Sequence, residues 1–169
     1  MRLTIGVTGH RDVVVTEGLK QSIREYIEKL ILKNSQKEIT LLSPLADGAD
    51  RLVADSFLEL QSTYNNLKFI VPMPFDKERY MEDFDEKSKR DFFNYLQRAD
   101  NFFEVEDTQN DGYRSVGVFV ANRADVLLAL WDGTDNHKAG GTADIVKYSK
   151  SQGHIVKHFL CKREESYQN

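Results

Sequence analysis

The sequence predicts an α/β domain: a three-layer sandwich around a mainly parallel sheet of five or more strands. Three observations carry that prediction. Short apolar runs alternate along the chain with amphipathic stretches of about 10–15 residues, the pattern of βαβ units with right-handed crossovers. The run Asp125-Val126-Leu127-Leu128-Ala129-Leu130-Trp131 is almost continuously apolar, as a strand covered on both faces must be. Residues suited to ligand contact collect just after the predicted strands, where open parallel sheets bind their ligands.

In chain order, the first strand is Leu3-Thr4-Ile5-Gly6-Val7-Thr8. A helix follows the cap residue Thr16, with Leu19, Ile23, Ile27 and Leu30 on one face. The second strand, Ile39-Thr40-Leu41-Leu42-Ser43, leads to a helix that buries Leu52, Val53, Phe57 and Leu60. Leu67-Lys68-Phe69-Ile70-Val71-Pro72 is the third strand. The next link is too long for one simple crossover and forms a charged helical elaboration over about 74–110. Residues 76–91 carry 12 charges, and Tyr80 and Phe84 are spaced i, i+4. That spacing fits a solvated helix with an aromatic anchor, or a lid over the strand ends. A short strand is expected at Phe102-Phe103-Glu104-Val105, then a helix with Val116, Val120 and Ala124 on one face. Gly117, inside that helical pattern, implies close packing against another element. The strand Asp125–Trp131, a helix using Ala143, Val146 and Ser149, and a last strand Ile155–Leu160 complete the sheet.

The chain has 169 residues, which suits one domain over 1–169, and enough length to bury a core without staples. Cys161 is the only cysteine, so neither an internal disulfide nor a cysteine zinc site can form. No metal site is expected, since His154 and His158 flank or lie in a strand and His137 has no partner at ligand spacing. No apolar run approaches the ~18 residues of a membrane span, and the N-terminal stretch lacks a signal-peptide layout. A cytoplasmic, membrane-free location is the expectation. The net charge of −4, with Lys and Arg scattered, argues against a nucleic-acid backbone as partner. A small anion remains open to an acidic protein, because helix N-termini and a few Arg make a local site.

The strand ends hold the candidate site. After strand one come Thr8, Gly9, His10 and Arg11; after strand two, Ser43, Gly48, Ala49, Asp50 and Arg51; Pro72 closes strand three. Trp131, Asp132 and Gly133 close strand four, and Gly140-Gly141-Thr142 opens the last helix. The glycine pair lets backbone N–H groups approach a phosphate, and Thr142 either caps the helix or offers its hydroxyl. Gly9 and Gly48 permit the same close approach. His10 and Arg11 suit phosphate or sugar contact, and His10 equally suits a backbone bond in its loop. Asp50, Asp132 and Asp144 each fit a turn or helix-start role, or contact with a sugar and stabilisation of a developing sugar cation. Trp131 is core or a stacking surface.

Taken in order, these motifs resemble a known superfamily. Ser43-x-Leu45-Ala46-x-Gly48-x-Asp50 is similar to the S-G-L-A-x-G-x-D signature of the Smf/DprA proteins, with Pro44 in place of a glycine. Gly6-Val7-Thr8-Gly9-His10-Arg11 looks like the turn that opens the same fold, and Gly140-Gly141-Thr142 resembles the phosphate loop of the LOG phosphoribohydrolases. The pattern spans Ile5 to about Gly153 and resembles the SLOG superfamily, named for those two groups. The resemblance implies a Rossmann-like fold and a pocket for a nucleotide or nucleotide-derived molecule, sensed or processed in bacterial signalling or defence. A separate effector protein would then be a partner, and homo-oligomer formation stays open.

The resemblance also implies a divergence. LOG hydrolases place a catalytic glutamate three residues after the loop threonine; that position here is Ile145, with Asp144 one residue earlier, a ~100° turn away on a helix. Binding of a nucleotide derivative without a cofactor is therefore the first expectation. An N-glycosidic hydrolase or transferase using Asp50, Asp144 or Asp132 is the second, and single-stranded DNA binding the third.

Overall fold

The computed structural model describes residues 1–164. The elements alternate as the sequence requires: β1 (Arg2–Gly9), α1 (Glu17–Lys33), β2 (Glu38–Leu42), α2 (Ala49–Leu60) and β3 (Leu67–Met73). Then come α3 (Lys77–Met81), α4 (Glu86–Arg98), β4 (Asn101–Glu104), α5 (Gly112–Arg123), β5 (Val126–Trp131), α6 (Thr142–Ser151) and β6 (Ile155–Leu160). All six strands are parallel, in the order β4-β3-β2-β1-β5-β6. The sheet with helices on both faces is a Rossmann-like three-layer sandwich.

Alternate strand residues feed two cores, as the pleat dictates. Ile5, Val7, Ile39, Leu41, Phe69, Val71 and Leu128 meet Ile23, Ile27 and Ile31 of α1, Val53 and Phe57 of α2, and Phe92 of α4. On the other face Leu42 and Leu127 meet Val118, Val120 and Ala121 of α5 and Ile145 of α6. The expected α1 face is rotated slightly: Ile31 is buried, while Leu19 and Leu30 pack at its margin. Thr16 caps α1, its hydroxyl accepting from the Leu19 N–H. Gly117 packs as anticipated, because a Cβ there would fall 2.6 Å from Cδ1 of Ile145.

The charged stretch 76–91 differs from a single helix. Asp76 caps α3 and Asp85 caps a separate α4, each accepting from the N–H three residues on, so the chain breaks between them. Tyr80 and Phe84 consequently do not share a helix face; both are buried and meet Phe92 edge-on or tilted. The Tyr80 hydroxyl donates to the Pro44 carbonyl, pinning this strap to the end of β2.

The chain walks outward from β1 to β4, then returns across the sheet to β5 on the far side of β1. The connections after β1 and β5 therefore leave on opposite faces and open a crevice at their carboxyl ends, the expected ligand position in such sheets.

Candidate functional site

A cavity of about 730 Å³ occupies that crevice. Its walls are the β1 turn from Thr8 to Asp12, Asp47, strap residues Arg79 and Asp83, the start of α5 at Asp111 and Tyr113, the 134–143 segment and Arg163. A larger groove, about 1130 Å³, lies between α1, α2 and α4, away from the β1–β5 crevice.

The β1 turn is wedged in place by backbone contacts. A Cβ on Gly9 would sit 2.3 Å from the Ala49 methyl and 2.8 Å from the Leu130 carbonyl oxygen. Gly48 has φ +83°, and a Cβ there would lie 2.3 Å from the Arg11 carbonyl oxygen. The Ala49 N–H donates to the His10 carbonyl at 3.0 Å. These two glycines let chain approach chain, and Gly48 does not line the cavity.

The 140s loop is built differently. Gly140, at φ +76°, packs against the start of α5, where a Cβ would be 3.0 Å from the Arg114 nitrogen. Its N–H donates to Asp144 Oδ2 at 2.8 Å, and the same oxygen accepts from Arg114 Nε at 2.9 Å. The Gly141 N–H donates to the Lys138 carbonyl. Gly141, not Thr142, is the N-cap of α6, and no side chain caps the helix. Thr142 and Ala143 in the first turn border the cavity, so their N–H groups and the positive end of the helix dipole lie at its wall. Lys138 and Arg11 are exposed at the same cavity, with no carboxylate among the described residues within 4 Å of either. The Arg11 guanidinium stacks 4.8 Å from the centre of the Tyr113 ring.

The acidic groups on the walls are mostly engaged. Asp12 pairs with Arg163 at 2.9 Å, and Asp47 with Arg51 at 3.2 Å. Asp83 pairs with Arg79 and accepts from the Tyr113 hydroxyl. Asp111 caps α5 by accepting from the Arg114 N–H. His10 is largely buried, with Nε2 3.2 Å from both the backbone nitrogen and Oδ1 of Asp132. Burial first, then Arg163, hold the His10 ring below the ordinary histidine value, against Asp132 and Asp12. Burial alone would raise the Asp132 carboxyl, but bonds from Thr134 and the nearby His10 leave it below its usual range.

Of the residues singled out from the sequence, Thr8, Gly9, His10, Arg11, Gly140, Gly141 and Thr142 line the cavity. Ser43, Gly48, Ala49, Asp50, Arg51, Pro72, Trp131, Asp132 and Gly133 do not. The Ser43 hydroxyl donates to the Asp50 carbonyl, and Asp50 Oδ2 accepts from the Ala46 N–H, tying the β2–α2 turn together. Burial pushes the Asp50 carboxyl up to about 7, against Ala46, Arg11 and Arg51. Arg51 is buried: Nε donates to the Leu45 carbonyl, Nη1 to the Ser88 carbonyl, and Phe84 lies 4.8 Å beneath the guanidinium. Pro72 pairs with Phe103 inside the sheet. Trp131 Nε1 donates to the Thr134 carbonyl, its ring 5.2 Å from His158, and Gly133 is an open turn.

Sequence reasoning missed Arg79, Asp83, Tyr113 and Lys138, which line the cavity. Lys138 stands two residues before the glycine pair, a readable signal; Arg79 and Asp83 are indistinguishable from their charged neighbours. The glutamate position of the LOG hydrolases is held by Ile145, 2% exposed and facing Gly117 across the α5–α6 contact.

A family model described as the YspA SLOG family matches residues 4–161. UPF0398 proteins from Staphylococcus aureus strains JH9, Mu3 and USA300 are each 27% identical over 141 residues, covering 76% of this chain and 73% of their own.

Proposed function

The chain belongs to the YspA SLOG family, and from that premise we propose that it binds a nucleotide-derived anion in the β1–β5 cavity. Family membership suggests nucleotide-derivative binding in general; the choice of site and ligand charge rests on the chain's own residues. The observation that carries the reading is the opening of the uncapped α6 N-terminus into a 730 Å³ cavity, beside Lys138 and Arg11. A phosphate there takes N–H groups from Thr142 and Ala143 and charge from both cations. Carboxylates that line the same walls are largely neutralised by pairing, so they oppose an anion weakly.

Binding, rather than hydrolysis, is the reading the acids support. Asp144 is occupied by Gly140 and Arg114, Asp132 by Thr134 and His10, and Asp50 lies under the β1 turn outside the cavity lining. General acid or base work needs a carboxyl within hydrogen-bond reach of the reacting atom.

A thermal-shift panel of AMP, ADP-ribose, NAD and cyclic AMP tests the reading. At least one member should raise Tm by several degrees at a concentration about 100-fold above Kd, following the mass-action gain of about 2.7 kcal/mol. Lys138→Ala should weaken that response roughly tenfold in affinity, because it removes a charge-assisted contact of about 1.4 kcal/mol without touching a packed group. A folded sample indifferent to all four ligands would overturn the proposal.

A further inference from the structure

The contact between His10 and Asp132 contains a conflict that one proton resolves. Nε2 lies 3.2 Å from the Asp132 backbone nitrogen and 3.2 Å from Oδ1 of the same residue. The amide requires a lone pair on Nε2, and the carboxylate requires a proton there. Asp132 is not free to turn away, because Oδ1 also accepts from the Thr134 N–H at 3.0 Å and the Thr134 hydroxyl at 2.8 Å. In the neutral ring, Nε2 takes the amide and Nδ1 carries the hydrogen. In the imidazolium, Nε2–H turns to the carboxylate and Nδ1–H remains available. His10 lines the cavity, is 9% exposed, and its Nδ1 has no hydrogen-bond partner among the described residues.

We propose that anion binding in this cavity is coupled to uptake of one proton by His10, which then holds Asp132 through Nε2 and the ligand through Nδ1. The inference rests on the binding reading above and deepens it into a pH-linked one. The charges around the ring come from each neighbouring segment: Asp132 after β5 and Asp12 in the β1 turn favour the imidazolium, and Arg163 after β6 opposes it. Arg11 adjoins His10 in the chain, and the Cys161 thiol, pushed up to about 11 chiefly by burial, stays uncharged. Without a bound anion, burial and Arg163 prevail and hold the ring below the ordinary histidine value. A phosphate accepts from Nδ1–H in either form, and its negative charge favours the imidazolium, whose added proton sits on Nε2 against Asp132.

The linkage has a definite sign. The His10 value is low in the free protein and raised in the complex. The gain in affinity is therefore complete below the free value and is lost as pH rises through the bound one. Over that window the affinity falls by up to about tenfold per pH unit.

Calorimetric titration with ADP-ribose, NAD and cyclic AMP, whose phosphate groups hold fixed charge from pH 5.5 to 8, measures the coupling. Two buffers of different ionisation heat give the number of protons taken up. The expected result is uptake approaching one proton, accompanied by movement of the His10 15N imidazole signals from the Nδ1–H neutral form to imidazolium. His10→Gln should bind with no uptake, which separates His10 from the exposed His137. If that variant does not fold, the imidazole spectrum of the unaltered protein decides alone. Binding without uptake, or uptake with an unchanged His10 signal, overturns the coupling and leaves the binding site standing. No binding by any of the three overturns the coupling and the binding reading it rests on.

Discussion

The N-termini of α2 and α6 begin alike and end in different uses. Both helices follow a parallel strand, both have a glycine N-cap, and neither is capped by a side chain. At α2 the vacant N-terminal space is filled by the protein itself: the His10 carbonyl accepts from the Ala49 N–H, and the Arg11 backbone presses on Gly48. At α6 the first turn borders a cavity. A Gly-rich helix start thus specifies close approach and nothing about what approaches. The strand order decides that, because β1 lies between β2 and β5 and its turn leans onto α2 rather than α6.

The sharpest way to break the comparison is to add one methyl group to each cap. Gly48→Ala places a Cβ 2.3 Å from backbone atoms at φ +83°, where nothing flexible can yield. A loss of about 3 kcal/mol or more is expected, read as a fall in the urea midpoint. Gly141→Ala has φ −74°, and its nearest contact is the Lys138 carbonyl oxygen at 3.1 Å. It should cost less than about 1 kcal/mol. Equal losses would mean that α2 and α6 are not distinguished by packing.

A second test uses the acids that follow the caps. Asp50, in the first turn of α2, should gain from the helix dipole as an anion. Burial outweighs that gain and raises its carboxyl to about 7. The folded state therefore keeps a proton that the unfolded chain releases near pH 4, and stability must fall as pH rises between those values. Between pH 5 and 7 the loss is about 2 kcal/mol. Asp50→Asn keeps an acceptor for the Ala46 N–H and should flatten that part of the stability curve. A slope unchanged in the variant would show that another group carries it.

The same contrast explains what was legible in the sequence. Six strands and the helices α1, α2, α5 and α6 were readable because alternation, apolar runs and caps such as Thr16 are local signals, whereas the break between α3 and α4 was not. So was the edge of the sheet that holds the cavity. The cavity's lining was readable only in part. Ser43, Asp50 and Arg51 look like site residues because polar groups at a strand end usually face outward, yet here they brace the β2–α2 turn. That use depends on the strap carrying Tyr80, Phe84 and Ser88, whose contacts with the turn span 33 to 37 residues of chain. Arg79 and Tyr113 reach the cavity through the same distant folding. No short motif encodes such contacts, because they depend on where a long insertion comes to rest.

The smallest expected effect is the most diagnostic for α6. Asp144 accepts from Gly140 and Arg114, so it shapes the loop, but its negative charge also stands at the helix end offered to an anion. Asp144→Asn retains an acceptor for the Gly140 N–H and gives up the ion pair with Arg114. Both side chains are about a quarter exposed, so stability should fall by no more than about 1 kcal/mol. Removing one charge roughly 6 Å from a bound phosphate in a water-filled cavity is worth about 0.7 kcal/mol in favour of binding. Affinity for a ligand found in the panel should therefore rise about threefold at low salt, and the gain should shrink as salt screens the charge. An acid that performed chemistry would behave in the opposite way, with turnover abolished and binding little changed. A fall in affinity with intact stability would instead place the Asp144 carboxylate in direct contact with the ligand, and make α6 a site for a hydroxyl or amino group rather than for phosphate.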